Sequence, residues 1–445
     1  MQSNPDSRRP FSFISDLFKR QYLRNDILAG LTTAIVGISS SMAYAAIAGI
    51  NPIFGLYSAI IPAIIGGLFG SSNYLVTGPT NATALVTASI LIGLQISPDR
   101  YLDMVFLLAI LSGMTQLFLG IFKAGGLLRF VSNAVLTGFI TGVGFLVILG
   151  QLGNIFGLSI PKHDGVWMIL TTLFQTIGTM RVVVLGISVS TVLMAVIFRK
   201  INRKIPAAFF AVVVTSVVVV LFDLEEFGVR QVRDLDLPIS VALRFYLPSF
   251  SWGEVSALIP GAIALAIFSL VEGTSTAKSF AILSNEEFNS SREFIAQGLA
   301  SIVGGLFQSL PPAGSPSRTA VNYSTGAKTR RAAIFSGIFL YAILLLFSNL
   351  IGYIAIPSLA ATIAFSGFTL INFDHIKLTW NTRLTTRLIL ISSFLATLFL
   401  PLQYSIYIGV GLSILVIVFE NREAHLSTLR LLEDGAVVEQ HYEKG

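Results

Sequence analysis

The sequence has no cysteine, only four histidines and few charged residues, and each scarcity excludes a class of protein. Without cysteine, neither disulfide bonds nor thiolate metal sites can form. The histidines are scattered without the spacing of a metal site. Charged residues make up 12% of the 445 residues against 54% hydrophobic residues. Because this apolar excess is spread over most of the chain, it indicates a polytopic membrane protein and not a series of soluble domains.

Apolar runs of about 18 to 25 residues recur along the chain, and each is long enough to cross a hydrocarbon layer of roughly 30 Å. The pattern predicts an all-α membrane protein with about fourteen transmembrane segments. An amphipathic segment, residues 166–177, is predicted at the interface between spans five and six. The predicted spans are 28–49, 52–70, 79–95, 102–122, 131–157, 181–199, 206–223, 254–283, 294–308, 316–327, 331–353, 356–371, 386–400 and 403–420.

The net charge of +6 would suggest a nucleic-acid partner in a soluble protein, but here the basic residues lie in short loops. Loops that follow an even number of spans carry most of them, whereas the loop after span seven is mainly acidic. This bias places both termini on the cytoplasmic side of the cell membrane. Residues 12–27 are amphipathic and basic, which predicts a helix lying on the inner leaflet.

Spans three and ten are short and begin with helix-breaking residues. Span three opens with "VTGPTNATALV" and span ten with "AGSPSRTAVN". A helix that begins inside the membrane leaves free N–H groups and a partial positive charge facing the gap before it. Spans three and ten are separated by seven, so they would occupy equivalent positions in two halves of seven spans each. Because seven is an odd number of membrane crossings, the second half would be inverted relative to the first. Such paired broken spans predict a midplane site that favours an anion.

Arg318 lies one turn into span ten, among small and hydroxyl residues. There it would add a full positive charge and could clamp an oxyanion through paired N–H donors. Alternatively it balances an acidic group or reaches the interface. Further donors could come from Ser315, Ser317, Thr80 and Asn81, although such residues also mediate ordinary helix packing.

Glu272 is one of very few ionisable residues that cannot be assigned to a loop, and Thr276 follows one helical turn later on the same face. A carboxylate within a membrane is costly unless it is protonated, paired or bound to a cation. Three roles follow. Glu272 takes up a coupling proton, holds Na+ together with Thr276, or forms a salt bridge with Arg318.

Three stretches together resemble the SulP family of anion transporters, the solute carrier 26 group. They are "SMAYAAIAGINPIFGLYSAIIPAIIGGLFGSSNYLVTGPTNATAL", "FSLVEGTSTAKSFA" and "EFIAQGLASIVGGLFQSLPPAGSPSRTAVNYSTGAKTRRA". The resemblance implies two intertwined, inverted seven-span repeats, with half-helices at spans three and ten. It also implies an elevator-like motion of a core domain against a gate domain, within a homodimer.

The resemblance extends to single residues and to domain bounds. Ser317 and Arg318 match the family's serine-arginine pair at the anion site, Tyr44 matches the aromatic residue lining it, and Thr80 lies at the tip of the third helix. The candidate anion-binding residues are Ser317, Arg318, Thr319, Ser315, Gly314, Thr80, Asn81, Tyr44 and Ser40. The implied units are a cytoplasmic segment (1–27), core parts 28–122 and 251–353, gate parts 123–250 and 354–420, and a cytoplasmic tail (421–445).

The chain departs from the family pattern in three places. Ser39 and Ser40 stand where the family has Pro-Gln, so a side-chain amide often present at the site is absent. The loop before the third helix lacks the usual basic residue. The sequence stops after "LRLLEDGAVVEQHYEKG", where a STAS domain would normally begin.

The sequence therefore predicts a secondary transporter of a small inorganic or carboxylate anion, with Glu272 coupling transport to H+ or Na+. Sulfate and bicarbonate are the leading substrates. Ser-Arg-Thr at 317–319 looks more like the sulfate branch of the family, whereas Glu272 with Thr276 could serve a sodium-coupled bicarbonate branch. The alternatives are an uncoupled exchanger or channel, or a nucleobase transporter, for which Arg318 would have no purpose. A membrane enzyme is disfavoured because no histidine lies in a span near a serine. No cofactor beyond the coupling ion is expected.

Overall fold

A computed structural model of the chain describes residues 20–125, 132–160, 165–201, 206–235, 243–420, 427–431 and 437–441. Of the predicted amphipathic helix at residues 12–27, residues 12–19 lie outside the described part of the chain. The loop residues Arg129, Arg203 and Lys204 also lie outside them, as does much of the tail beyond residue 420.

The described chain is almost entirely helical, and each predicted span coincides with one helix. The predicted interfacial segment coincides with α6, whereas the short helix α14 was not predicted. The helices are α1 (Leu23–Ile47), α2 (Pro52–Phe69), α3 (Asn81–Gly93), α4 (Tyr101–Ile121), α5 (Asn133–Phe156), α6 (Gly165–Thr176), α7 (Val182–Ile201), α8 (Ala207–Leu221), α9 (Trp252–Ser284), α10 (Ser290–Leu306), α11 (Pro316–Ser324), α12 (Arg331–Ile351), α13 (Ile356–Leu370), α14 (Phe373–Trp380), α15 (Leu384–Phe399) and α16 (Leu402–Glu420).

Eight helical segments in the described part of the chain are long and apolar enough to cross a membrane by length and composition. Several others are shorter apolar helices. Among the helices that coincide with predicted spans, α3 with 13 residues and α11 with 9 residues are the shortest. The prediction that spans three and ten are short is therefore confirmed.

Helix starts and helix crossings follow from local sequence. Asn51 caps α2 by accepting a hydrogen bond from the Ile53 N–H at 2.9 Å, directly before a proline in the first turn. Small residues let the helices approach closely. A Cβ at Gly55 would lie 1.9 Å from the Ser41 carbonyl oxygen of α1, and one at Gly298 would lie 2.6 Å from the Leu117 backbone nitrogen of α4.

Two short strands bring the starts of α3 and α11 together. Strand β1 (Thr77–Gly78) precedes α3, and β2 (Ala313–Gly314) precedes α11. They pair antiparallel, with Thr77 opposite Gly314. The Ser315 N–H continues the pairing by donating to the Val76 carbonyl at 2.9 Å. Two helices far apart in sequence therefore begin side by side within the fold. A separate two-stranded sheet pairs β3 (Ser427–Leu431) antiparallel with β4 (Val437–His441).

Candidate anion-binding site

Arg318 is buried at the start of α11, with 2% of its surface exposed. Its Nε and Nη2 atoms are buried and have no hydrogen-bond partner among the residues that the structure describes. Among the described residues, no carboxylate lies within ion-pair distance of its guanidinium group. A buried cation without a partner is costly, so this geometry favours an anionic ligand that completes the site.

Two glycines form the surface against which the guanidinium lies. A Cβ at Gly78 would stand 1.8 Å from Nη2 of Arg318, closer than any atoms can approach. A Cβ at Gly37 of α1 would lie 3.6 Å from its Cδ. Gly78 therefore provides the space that the guanidinium needs in its present position. The sequence pattern treated it only as a helix breaker and did not identify it as a site residue.

The start of α11 has no side-chain cap. Ser315 occupies the N-cap position, but its hydroxyl lies 3.4 Å from that of Ser317 and accepts no hydrogen bond from the first turn. The first-turn N–H groups of a helix have no acceptor within the helix itself. Ser317 is exposed, whereas Ser315 is buried. The uncapped start therefore offers donors and a partial positive charge beside Arg318.

The start of α3 is capped instead. The Thr80 hydroxyl accepts from the Thr83 N–H at 3.2 Å, and the Thr83 hydroxyl accepts from the Thr80 N–H at 3.2 Å. The same Thr80 hydroxyl donates to the Glu272 carboxylate at 3.1 Å. This helix start is thus tied to a carboxylate.

Glu272 lies on α9 and is partly buried. Of the three roles predicted for it, the salt bridge with Arg318 is absent from the ion pairs of the described residues, and its carboxylate accepts from Thr80 instead. The Thr276 hydroxyl donates to the backbone carbonyl of Glu272 at 2.9 Å. Proton uptake and Na+ binding remain as predictions. Within the described residues, no three His, Cys, Asp or Glu side chains form a group that could hold a metal ion.

Tyr44 connects the two helix starts. Its side chain on α1 is 5% exposed, and its hydroxyl lies beside those of Ser317 and Ser40, within electrostatic range of Arg318 and Glu272. The Ser40 hydroxyl donates to the Val36 carbonyl at 3.1 Å and so remains part of its own helix. The structure therefore brings Tyr44, Ser317, Arg318 and Glu272 into one region.

The other predicted site residues lie on the framework of this region. The Thr319 hydroxyl accepts from the Val76 N–H at 3.1 Å, which joins α11 to the segment before α3. Gly314 belongs to β2 and packs against the backbone of Gly273 on α9. Asn81 opens α3, and its buried Oδ1 has no partner. Asn322, which the sequence did not single out, donates to the Tyr74 carbonyl at 2.9 Å.

Sequence relatives are named as transporters. The chain is 29% identical over 408 residues to "Probable sulfate transporter 3.5" of Arabidopsis thaliana, covering 89% of this chain and 64% of that protein. It is 28% identical over 413 residues to "Probable sulfate transporter MT1781" of Mycobacterium tuberculosis, covering 93% and 73%. The chain spans less than two thirds of the length of the plant relatives.

Solved structures share the fold. The transmembrane domain of the cyanobacterial bicarbonate transporter BicA superposes with a TM-score of 0.77 at 22% identity, over 89% of this chain and 98% of that one. The overall structure of SLC26A9 superposes with a TM-score of 0.84 at 21% identity, over 97% and 71%.

The prediction that the chain is not an enzyme agrees with these names, since the relatives are sulfate transporters and anion transporters. The model of the sulfate permease family matches residues 23–393, which include all three stretches that carried the resemblance. The chain belongs to the sulfate permease family.

Proposed function

We propose that this protein is a secondary active transporter that carries a small oxyanion, sulfate or bicarbonate, between the starts of α3 and α11. The observation that carries the proposal is Arg318, a buried guanidinium whose Nε and Nη2 have no partner in the described chain. An oxyanion would accept hydrogen bonds from these donors and from the uncapped first turn of α11. Neutral nucleobases would leave the charge unpaired.

The packing supports two inverted repeats. Numbering α1–α5, α7–α13, α15 and α16 as fourteen spans, equivalent helices lie seven spans apart. Helix α4 packs on α10, and their equivalents seven spans away, α12 and α2, also pack on each other. Likewise α1 packs on α12, and their equivalents α9 and α4 pack on each other. The antiparallel pairing of β1 with β2 fits the same relation. We therefore assign residues 28–122 and 251–353 to a core and 123–250 and 354–420 to a gate, and infer an elevator-like motion of the core.

Polar exposure supports a water-lined route to the site. On α11, Ser317 and Ser324 are exposed, and on α9 so are Ser275, Lys278 and Ser279. Hydroxyl and amine side chains on membrane helices face water or protein and not lipid. These residues run from the site toward the end of α11. With both termini cytoplasmic, as proposed from the loop charges, that end is cytoplasmic and the site opens inward. A homodimer in the cell membrane is part of the same proposal.

Glu272 supplies the coupling site in this proposal. Among the described residues, its carboxylate accepts a side-chain hydrogen bond from the neutral hydroxyl of Thr80 and forms no ion pair, so none of their cations compensates its charge. Binding H+ or Na+ would do so, and it would act on the same cluster that holds Tyr44 and Arg318. Coupling then follows from proximity, since a cation at Glu272 would favour an anion at Arg318.

The function is tested by uptake of labelled sulfate and labelled bicarbonate into proteoliposomes, each with and without Na+ and pH gradients. We expect saturable uptake of one anion in the wild type. Arg318→Ala should reduce it by at least about tenfold, because hydrogen bonds to a charged group contribute about 1.5–3 kcal/mol and about 1.4 kcal/mol corresponds to tenfold.

Arg199→Ala is the matched control, since it removes an exposed arginine from the last turn of α7. Its uptake should equal that of the wild type. Near-normal uptake by Arg318→Ala would remove Arg318 from the anion site, and absence of uptake for every anion and gradient in the wild type would contradict transport itself.

A further inference from the structure

A second basic site lies away from Arg318, where three helices end on one side of the molecule. It is an open cavity of about 600 Å³ between the end of α4, the end of α9 and the start of α10. Lys123, Lys278 and Arg292 line it, together with hydroxyl groups of Ser71, Ser290 and Ser291. Three cations from three different segments therefore meet at one cavity, and one of them, Lys278, also borders the proposed inward-facing route.

Two of the three cations at this cavity have no carboxylate partner among the described residues. Glu287 is the acidic residue in its lining. Among the described residues, neither Lys123 nor Lys278 has a carboxylate within ion-pair distance. The nearby Glu293 is buried and accepts from the Ser71 N–H at 2.8 Å and from the Ser72 N–H at 3.3 Å. The cavity thus presents a net positive charge toward solvent.

Local structure positions two of the three cations. Arg292 is oriented by a hydrogen bond from its Nε to the Phe69 carbonyl at 3.1 Å. Asn289 caps α10 by accepting from the Arg292 N–H at 3.0 Å, which fixes the helix start that carries Arg292. Lys123 has φ +54°, in the left-handed region where a glycine is usual after a helix, so the backbone of the lysine occupies an unfavourable conformation at this position.

Large apolar side chains close in sequence to Lys123 and Lys278 are exposed. Phe118 of α4, Phe122 directly after α4, and Ile282 and Leu283 of α9 are between 59% and 80% exposed. On a membrane protein such side chains face the hydrocarbon layer, so the two lysines lie close in sequence to its edge. Basic pockets between membrane helices at this level suit phosphate-bearing head groups.

We propose that this cavity binds a phosphate group, carried either by a phospholipid head group or by a soluble polyphosphate. Two lysines and an arginine suit the several anionic oxygens of phosphate, and the serines at 290 and 291 in the lining could supply further donors. The site is independent of the transport proposal, because its ligand would not pass between α3 and α11.

The test is binding to the full chain in neutral detergent. Native mass spectrometry with dioleoylphosphatidylglycerol, against dioleoylglycerol with the same chains but no phosphate, measures the lipid source. Titration calorimetry with inorganic pyrophosphate measures the soluble source. The variant is Lys123→Gln with Lys278→Gln. Its matched control is Lys200→Gln with Lys377→Gln, which removes two exposed lysines elsewhere.

We expect the pocket variant to bind at least one of the two phosphate probes about tenfold more weakly than the wild type, while the control variant binds it normally. If the pocket variant loses binding only of dioleoylphosphatidylglycerol, the ligand is a lipid head group. If it loses binding only of pyrophosphate, the ligand is soluble. The proposal is overturned if the pocket variant and the control variant bind both phosphate probes equally well. It is also overturned if dioleoylglycerol binds as well as dioleoylphosphatidylglycerol and pyrophosphate does not bind. If the glutamine variant does not fold, Lys123→Arg with Lys278→Arg must retain binding.

Discussion

Helices α3 and α11 begin side by side and follow paired strands, yet their first turns differ in chemistry. The α3 start satisfies its own donors through Thr80 and Thr83, and its spare hydroxyl donates to Glu272. The α11 start has no side-chain cap and carries a buried arginine. Equivalent positions in the proposed repeats therefore have opposite partners, a carboxylate at one helix start and an unpaired cation at the other.

In the proposed transporter, this difference would let one backbone arrangement serve two ligands of opposite charge. Two uncapped helix starts would both favour anions. Capping α3 and tying it to Glu272 would remove that preference on one side and place the proposed cation-binding group there. Tyr44 lies within electrostatic range of both Arg318 and Glu272, so the two halves of the site are neighbours.

Gly78→Ala tests whether the α3 side shapes the α11 side. The added Cβ would lie 1.8 Å from Nη2 of Arg318, so the guanidinium must move from its place. We expect uptake to fall by at least about tenfold, since two or more charge-assisted hydrogen bonds to the anion would be lost. The measurement is anion uptake into proteoliposomes at equal amounts of inserted protein.

Gly93→Ala serves as its control, because it adds the same methyl group at the other end of α3, where a Cβ would meet nothing within 4 Å. Uptake should then match the wild type. Equal uptake by both alanine variants would show that Arg318 does not depend on Gly78 for its position.

Glu272→Gln separates coupling from anion binding. The amide has nearly the same shape and can still accept from Thr80, but it neither takes up a proton nor attracts Na+. We expect acceleration by a gradient to disappear, a change of severalfold, while exchange of internal and external anion continues. Exchange and gradient-driven uptake are measured on the same proteoliposomes.

The comparison variant is Glu226→Gln, which changes an exposed glutamate in the loop after α8. Its gradient response should be unchanged. If Glu272→Gln is accelerated as strongly as this control, the two helix starts do not divide cation and anion between them.

Hydropathy predicted the helices well because the membrane imposes one length scale on every span. All fourteen predicted spans fall on helices, and the interfacial segment predicted at residues 166–177 falls on α6. Helix α14, with only 8 residues, escaped prediction because it is too short for a hydrophobic period to show. The pairing of β1 with β2 also escaped, since two-residue strands far apart in sequence carry no local signal.

The site was predicted in part. Broken helix starts and the burial of Arg318 could be inferred from Gly, Pro and one arginine in an apolar region. The contact of Thr80 with Glu272 and the space provided by Gly78 depend on how segments remote in sequence pack. Thr319 was grouped with the anion ligands because it follows Arg318, but its hydroxyl accepts from the Val76 N–H. Spacing along a helix does not reveal such partners.

Thr80→Ala and Ser315→Ala compare the two N-cap positions directly. Thr80 accepts from the Thr83 N–H and donates to Glu272, so its removal leaves a helix donor and a carboxylate without a partner. Loss of a helix cap costs about 0.5–2 kcal/mol. Ser315 makes no capping hydrogen bond, and its replacement should leave the midpoint of thermal unfolding in detergent nearly unchanged.

Thr80→Ser retains the hydroxyl and should restore most of the stability, which distinguishes loss of the hydrogen bonds from loss of side-chain volume. The comparison depends on which of the two alanine variants lowers the unfolding midpoint more. If Ser315→Ala lowers the unfolding midpoint as much as Thr80→Ala, then α11 is capped as firmly as α3. Its first-turn N–H groups would then be occupied, and Arg318 alone would have to hold the anion.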